Sequence, residues 1–540
     1  MLKYHVYWNT CGRKSAVRIR RRTLYYSCLF PAQHNEPKEY TRQMPEFFKD
    51  LNLDQITSCA MENYERFDIA KHYYTILKDE ETIRYRQDAM RELEDPAVLQ
   101  AAKSVCEILV AVSRLLPKLE SSLAGQGPME NNAMTKGQFL NAAVKYIVAL
   151  QDFADKASEL GLKSGALRGF ADHIEELFKS PGWKAFFEHT VRVRQAFDEA
   201  NYCLLVKNST IKLRKFEGQE DEGEYVRRLF DKFAQGQTQE YKHKLNENAI
   251  AYHVESGILE VLVKMYPDEF KDLAALCKAH VKFLDTTAER FGLEMQFYFS
   301  FLDYIAPIQR RGMLFCLPQF AQKGARIEAA EMFDLALAHN MLSSLNMPVT
   351  NGFYLEGPER VIVISGPNQG GKTTFARSLG QMTHLSRIGL PVPGARATLK
   401  PVTAIFTHFE KEENVENGAG KLMDDLVRIK PMLEEADENS FFVINEIFAS
   451  TTLDDATAIS KKVMEKLVSI GAMAVWVTFI DEMASYGPET VSMMSTVRPD
   501  SSETRTFRIE RKAADGLAYA MYIAKKHALT YDQLKGRLQA

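Results

Sequence analysis

The residues whose spacing carries the most chemistry are Gly366, Gly371, Lys372 and Thr373. They fill the pattern G-x-x-x-x-G-K-[ST] within Gly366-Pro367-Asn368-Gln369-Gly370-Gly371-Lys372-Thr373-Thr374. A glycine-rich turn between a strand and a helix aims several backbone N–H groups and a helix N-terminus at one point, and such a cradle holds nucleotide phosphates. Lys372 is placed to reach the β- and γ-phosphates, and the Thr373 hydroxyl to sit on Mg²⁺. A second cluster, Asn445 and Glu446, ends the apolar run Phe441-Phe442-Val443-Ile444. ATP hydrolysis needs a group that polarises the attacking water and another that holds the metal's water shell. Glu446 takes the first part as general base. Asn445 stands where an Asp would take the second; its amide keeps a carbonyl oxygen and loses the charge, so weaker Mg²⁺ binding and slower turnover are expected. The plainer readings are a chance glycine-rich turn and, for Asn445-Glu446, a capped helix start after a strand.

These residues need a buried strand ahead of the loop and a helix behind it. Val361-Ile362-Val363-Ile364 reads as that strand, and Phe375–Met382 has the period of a helix. Beyond the loop, strands and helices alternate: Ala404–Thr407, helix Lys421–Glu435, strand Phe441–Ile444, helix Asp455–Ile470, strand Met473–Thr478. Such alternation predicts a mostly parallel sheet covered by helices, over residues 346–540.

Residues 44–345 read as a helical region. Val105, Ile108, Leu109, Val112, Leu115 and Leu116 share one helix face, and Phe270 to Phe291 form one long apolar stripe. Within it, Tyr202–Val206 and Thr210–Arg214 read as a β-hairpin whose Lys207, Lys212 and Arg214 give it a basic edge. That edge is either a DNA contact or a solvated loop, since acidic residues follow at once.

Residues 1–43 hold nine Lys or Arg against two Glu in a chain of net charge −3, so the remainder is acidic. The stretch is either a basic nucleic-acid-binding arm or presequence, or a disordered extension or wrong start, with Met44 opening the first folded element. The acidic bulk excludes an all-over basic surface for DNA but not a local positive lining. Seven scattered cysteines without C-x-x-C spacing read as reduced thiols in a cytoplasmic protein. No apolar run approaches the roughly 18 residues of a membrane span, so no membrane partner is expected.

With these residues in hand, the chain resembles the MutS family of DNA mismatch-repair ATPases. Gly366–Thr374 is similar to the family's G-P-N-x-G-G-K-[ST]-T loop, and Asn351 to its lead-in asparagine. Ile388-Gly389-Leu390-Pro391-Val392-Pro393 and Ile405-Phe406-Thr407 match its I-G-L-P-V-P and I-F-T runs. Thr451-Thr452-Leu453-Asp454-Asp455 lies where the family has T-S-T-x-D. The resemblance implies a multidomain chain, with an all-α core, lever and clamp region (carrying the small hairpin) before an α/β P-loop ATPase domain of ABC/MutS type. It implies a homodimer with two composite ATP sites, to which Thr451, Asp455 and Gly420 contribute across the interface. ATP and Mg²⁺ are the implied cofactors. DNA, selected by structure rather than sequence, is the implied partner, with other repair proteins possible.

Three departures bear on that expectation. Besides Asn445, Phe479 occupies the family's switch-histidine position, and Gly418-Ala419-Gly420-Lys421 replaces its G-x-S-T. The folded chain enters the helical core without a mismatch-reading domain; Phe186-Phe187-Glu188 copies the wedge's F-x-E letters within helical sequence. The expected function is ATP hydrolysis coupled to DNA clamping in mismatch repair or recombination. The alternative is a nucleotide-gated structural or interaction protein with little hydrolysis. A P-loop kinase or transporter-type ATPase is the third reading, and it leaves the I-G-L-P-V-P run unexplained.

Overall fold

The computed structural model describes residues 25–123, 132–207, 210–216, 218, 250–322, 324–410, 420–498, 501–514, 529–531 and 534–535. It is a mixed helix and sheet chain. Short helices α1 (Phe47–Asp50), α2 (Leu53–Met61) and α3 (Ala70–Tyr74) precede longer ones: α4 (Glu80–Leu93), α5 (Pro96–Leu123), α6 (Asn132–Glu159), α7 (Leu167–Lys179) and α8 (Pro181–Glu199). Strands β1 (Tyr202–Lys207) and β2 (Thr210–Lys215) follow, then helices α9 (Ile250–Met265), α10 (Pro267–Ala279) and α11 (Thr286–Arg310).

The apolar stripe expected to run unbroken from Phe270 to Phe291 is divided between α10 and α11. Asp285 opens α11 by accepting from the Ala288 N–H at 2.9 Å, an N-cap that starts a new helix where the pattern alone ran on. Phe186 is buried in α8 and stacks on Phe283, so the F-x-E letters lie in helix core.

Among the described residues one helix, Pro96–Ser122, is long and apolar enough by composition to cross a membrane, although polar residues interrupt its apolar stretches. Its apolar face, including Val105, Leu109, Val112 and Leu116, is buried in the core. This is how the central helix of a bundle reads as well.

Two boundaries move. Residues 25–43 are folded, not an extension: Cys28, Leu29 and Phe30 are fully buried, and the Tyr298 hydroxyl donates to the Cys28 carbonyl at 2.9 Å. The segment has no periodicity because it is a strap, held by side chains of distant helices instead of by its own backbone pattern. Arg86 of α4 donates to the Leu29 carbonyl at 3.1 Å, and Ser27 to the Glu294 carboxylate at 2.5 Å. The division at 345/346 likewise falls inside a sheet. Strands β4 (Gln319–Phe320) and β5 (Ile327–Met332) join β6 (Asn351–Leu355) and β9 (Arg396–Leu399) in the order β4-β9-β5-β6. A separate two-residue pair joins β3 (Phe315–Cys316), just ahead of β4, to β8 (Val392–Pro393), just ahead of β9.

The main sheet holds six strands in the order β10-β11-β12-β7-β13-β14. They are β7 (Val361–Ser365), β10 (Ala404–Phe409), β11 (Ser440–Asn445), β12 (Met473–Val477), β13 (Thr490–Arg498) and β14 (Ser501–Arg511). Every pairing is parallel except β13–β14 at one edge. Helices α13 (Lys372–Arg387), α14 (Lys421–Glu435) and α15 (Leu453–Ile470) are its crossovers, and α12 (Leu335–Asn340) precedes it. β7, β11 and β12 are buried on both faces, which is why they read as continuous apolar runs and not as alternation.

Candidate functional site

β7 sits between β12 and β13, and its C-terminal end opens into the loop Gly366–Thr374. Gly366 (φ +110°) and Gly371 (φ +90°) take left-handed backbone that favours glycine, and Gln369 (φ +59°) takes it without being one. Gly371 is the N-cap of α13, so the helix begins at Lys372. Gly370 is constrained differently: a Cβ there would stand 1.9 Å from the Ser495 hydroxyl, which donates to the Gly370 carbonyl at 2.9 Å. Ser495 of β13 was not a candidate from sequence. Its place under the loop follows from the neighbouring of β13 and β7, about 125 residues apart, and no local pattern signals it.

Lys372 is folded back into the loop. Its ammonium donates to the Gly366 carbonyl at 2.8 Å and to the Pro367 carbonyl and Asn368 Oδ1 at 3.3 Å each. The Phe479 ring lies against it, 4.7 Å from Nζ to the centroid. Burial lowers the Lys372 ammonium below its ordinary 10.5, opposed by the Glu446 charge. Burial also raises the Glu446 carboxyl above its ordinary 4.5, opposed by Lys372. Each of these groups therefore holds the other's charge in a partly dry site.

The β11 tip brings the second cluster to the first. Thr373 Oγ1 donates to Asn445 Oδ1 at 2.8 Å. Glu446 follows at φ +55°, its N–H bound to the Val477 carbonyl at 2.9 Å, and Phe448 is at φ +64°. Two side chains in left-handed backbone cost on the order of 1–2 kcal/mol each and persist where the surroundings impose them. Here β12 fixes the Glu446 N–H, and Asp425 of α14 accepts from the Phe448 N–H at 3.2 Å. A capped helix start does not describe Asn445, because α15 begins only at Leu453 and its cap is Thr452.

The Thr373 and Asn445 oxygens suit Mg²⁺, a hard ion that keeps most of its waters and takes one or two protein oxygens. Among the described residues no group of three or more His, Cys, Asp or Glu side chains is placed to hold a metal by itself.

The remaining candidates have other hydrogen-bond partners or caps. Asp455 and Thr452 bond reciprocally at the start of α15: the Asp455 N–H donates to Thr452 Oγ1 at 3.3 Å, and that hydroxyl to the Asp455 carboxylate at 2.9 Å. Thr451 precedes them, and Gly420 caps α14. No hydrogen bond among the described residues joins Thr451, Asp455 or Gly420 to the phosphate loop; Gly418 and Ala419 lie outside the described residues. In the hairpin, register sets positions 207, 212 and 214 on one face, with Leu205 opposite Lys212 and Cys203 opposite Arg214. Lys212 and Arg214 are exposed.

Asn351, at the start of β6, clamps the sheet edge. Its amide donates to the Phe507 carbonyl at 3.1 Å, and its Oδ1 accepts from the Ile509 N–H at 2.8 Å. Phe507 in turn stands beside Gly371.

A loop, a lysine, a threonine–asparagine pair and a glutamate thus meet at the C-terminal ends of parallel strands. The family model described as MutS domain V matches residues 362–530. Over this segment the chain is similar to MutS proteins. It is 29% identical over 203 residues to Endonuclease MutS2 of Thermus thermophilus, covering 36% of this chain and 27% of that protein. It is 25% identical over 180 residues to DNA mismatch repair protein MutS of a Thermotoga species, covering 33% and 23%. Against MutS protein homolog 4 of Mus musculus, identity is 24% over 196 residues, covering 34% and 20%. The likeness spans about a quarter of the length of these MutS relatives.

Proposed function

We propose that the chain is a MutS-type ATPase that binds MgATP at Gly366–Thr374 and couples its hydrolysis to DNA binding in mismatch repair or recombination. The observation that carries this reading is the 2.8 Å bond between Thr373 and Asn445, which joins the phosphate loop to the strand tip that bears Glu446. On this reading the loop N–H groups and Lys372 bind the β- and γ-phosphates. Thr373 and Asn445 would hold Mg²⁺, which would neutralise phosphate charge when bound. Glu446 accepts a proton from water as its oxygen bonds to the γ-phosphorus, the bond to the β–γ bridging oxygen breaks, and ADP and phosphate result. The raised affinity of Glu446 for a proton supports its use as a base.

Homodimerisation through the nucleotide domains is part of the proposal. Met423 and Val427 lie one turn apart on α14 and Leu453 starts α15, and all three are strongly exposed apolar side chains. Asp455, Thr451 and Gly420 would then act across the interface. The proposed DNA contacts include the Lys207, Lys212 and Arg214 face; DNA would be chosen by structure, and other repair proteins are possible partners. Cys28, Cys59, Cys106, Cys277 and Cys316 are free thiols, in keeping with a reducing, cytoplasmic setting.

The test is steady-state ATP turnover and binding to homoduplex, mismatched and branched DNA, with and without MgATP, for the wild type, Lys372→Ala and Glu446→Gln. Turnover lost in both variants, with DNA affinity that changes with nucleotide, is the expected result. Nucleotide binding with equal background turnover in all three proteins favours the second reading, a nucleotide-gated interaction protein. The uncharged Asn445 and the ring over Lys372 are the observations that support that alternative.

A further inference from the structure

An ammonium has three N–H donors, and in Lys372 all three have oxygens of the loop itself within reach: Gly366 O, Pro367 O and Asn368 Oδ1. The Phe479 ring centroid lies 4.7 Å from the same nitrogen. The cation that should meet the phosphates is therefore enclosed by its own chain.

Phe479 is held to this task by its neighbours and not by burial. The Thr478 N–H donates to the Ile364 carbonyl of β7 at 3.1 Å, and the Ile480 N–H to the Thr478 hydroxyl at 3.1 Å. The backbone on both sides is thus pinned beside the strand that feeds the loop, while the ring stays 51% exposed. A core phenylalanine would be enclosed. This one lies against the lysine and is still half exposed.

We propose that Phe479 is a removable cover on Lys372 that holds down nucleotide affinity until a phosphate displaces it. The proposal rests on the nucleotide-site reading above and adds a regulation of that site. An ammonium over a phenyl face shifts an equilibrium by a factor of about 2 when exposed and about 30 when dry. Charge-assisted bonds from an ammonium to phosphate oxygens exceed this, so phosphate wins, but against a competitor. The cover acts on any ligand whose phosphate needs Lys372. It leaves the loop N–H groups and the Thr373–Asn445 pair free.

The test is equilibrium binding of a fluorescent ADP and of a non-hydrolysable ATP analogue to the full chain, with no turnover involved. Phe479→Ala and Phe479→Leu should both tighten binding about 3- to 10-fold, and Phe479→Tyr, which keeps the aromatic face, should match the wild type. Leucine keeps most of the bulk, so agreement between the Leu and Ala variants assigns the effect to the ring face. In a Lys372→Ala background, Phe479→Leu should change nothing. Weaker binding in both variants overturns the proposal and makes the ring a stacking contact for the ligand. Unchanged binding, or a gain in Ala but not in Leu, also overturns it. If the wild type binds nucleotide no better than Lys372→Ala, the nucleotide-site reading itself fails.

Discussion

The Thr373 hydroxyl donates to the Asn445 amide oxygen at 2.8 Å, and with that bond two segments 72 residues apart share a pair of oxygens. A carboxylate at 445 would bring the same oxygen and a full negative charge. Asn445→Asp is therefore expected to lower the Mg²⁺ concentration at half-maximal nucleotide binding by about tenfold, the effect of one added charge near a partly solvated divalent ion. Asn445→Ala, which removes the acceptor, should raise it. A Mg²⁺ titration of bound fluorescent nucleotide reads both. An Asp variant with unchanged or weaker Mg²⁺ dependence would show that the pair is not the metal's place.

Gly370 tests the loop's packing. The Cβ of Gly370→Ala would press on the Ser495 hydroxyl and stand 3.0 Å from the Pro367 carbonyl, so the loop must shift. Nucleotide affinity should fall at least tenfold, with thermal stability lowered by only a few degrees, since the strand and helix on either side are untouched. Removing the obstruction in a Gly370→Ala, Ser495→Gly double variant should recover part of the affinity. If the single variant binds normally, the contact is not what shapes the loop.

The same site shows what sequence could and could not reveal. The loop, Lys372 and Thr373 were legible because their chemistry is local: glycines for backbone room, and a lysine and hydroxyl at fixed offsets. The α14 bounds Lys421–Glu435 were likewise legible, as was the sheet's parallel character from strand–helix alternation. Ser495, the clamp of Asn351 on β14, and the Phe479–Lys372 contact were not. Each depends on which strands become neighbours, and strand order is not written in any one stretch. The strap at residues 25–43 was missed for a related reason: its partners Arg86, Glu294 and Tyr298 lie about 57 to 270 residues away.

Glu446 carries a pH prediction. Its carboxyl is raised above 4.5, chiefly by burial, with Lys372 pulling the other way. The ionised form is the base, so turnover should rise with pH through a limb that lies above 4.5. Glu446→Gln should lower turnover by at least about 100-fold at every pH. A pH profile of kcat/KM for ATP measures the limb. A limb at or below 4.5 would mean that another group sets it.

His384 carries the clearest link between stability and pH. It lies in α13, the helix that starts at Lys372, with Nε2 on the Tyr73 carbonyl at 2.8 Å and the Phe47 and Phe48 rings around it. Burial lowers its pKa from 6.5 to about 4, with the Tyr73 bond opposing. Below pH 6.5 the unfolded chain takes up a proton that the folded chain refuses until about pH 4, so the stability present above 6.5 is lost between those values. One histidine so shifted makes pH 5 less favourable than pH 7 by about 2 kcal/mol. His72, lowered in the same direction chiefly by burial, adds to the loss. Denaturant melts at steps from pH 7.5 to 4.5 read the slope. In His384→Gln, whatever its absolute stability, that slope should fall by about 1.2 kcal/mol per pH unit between pH 5 and 6. An unchanged slope would place the proton uptake elsewhere.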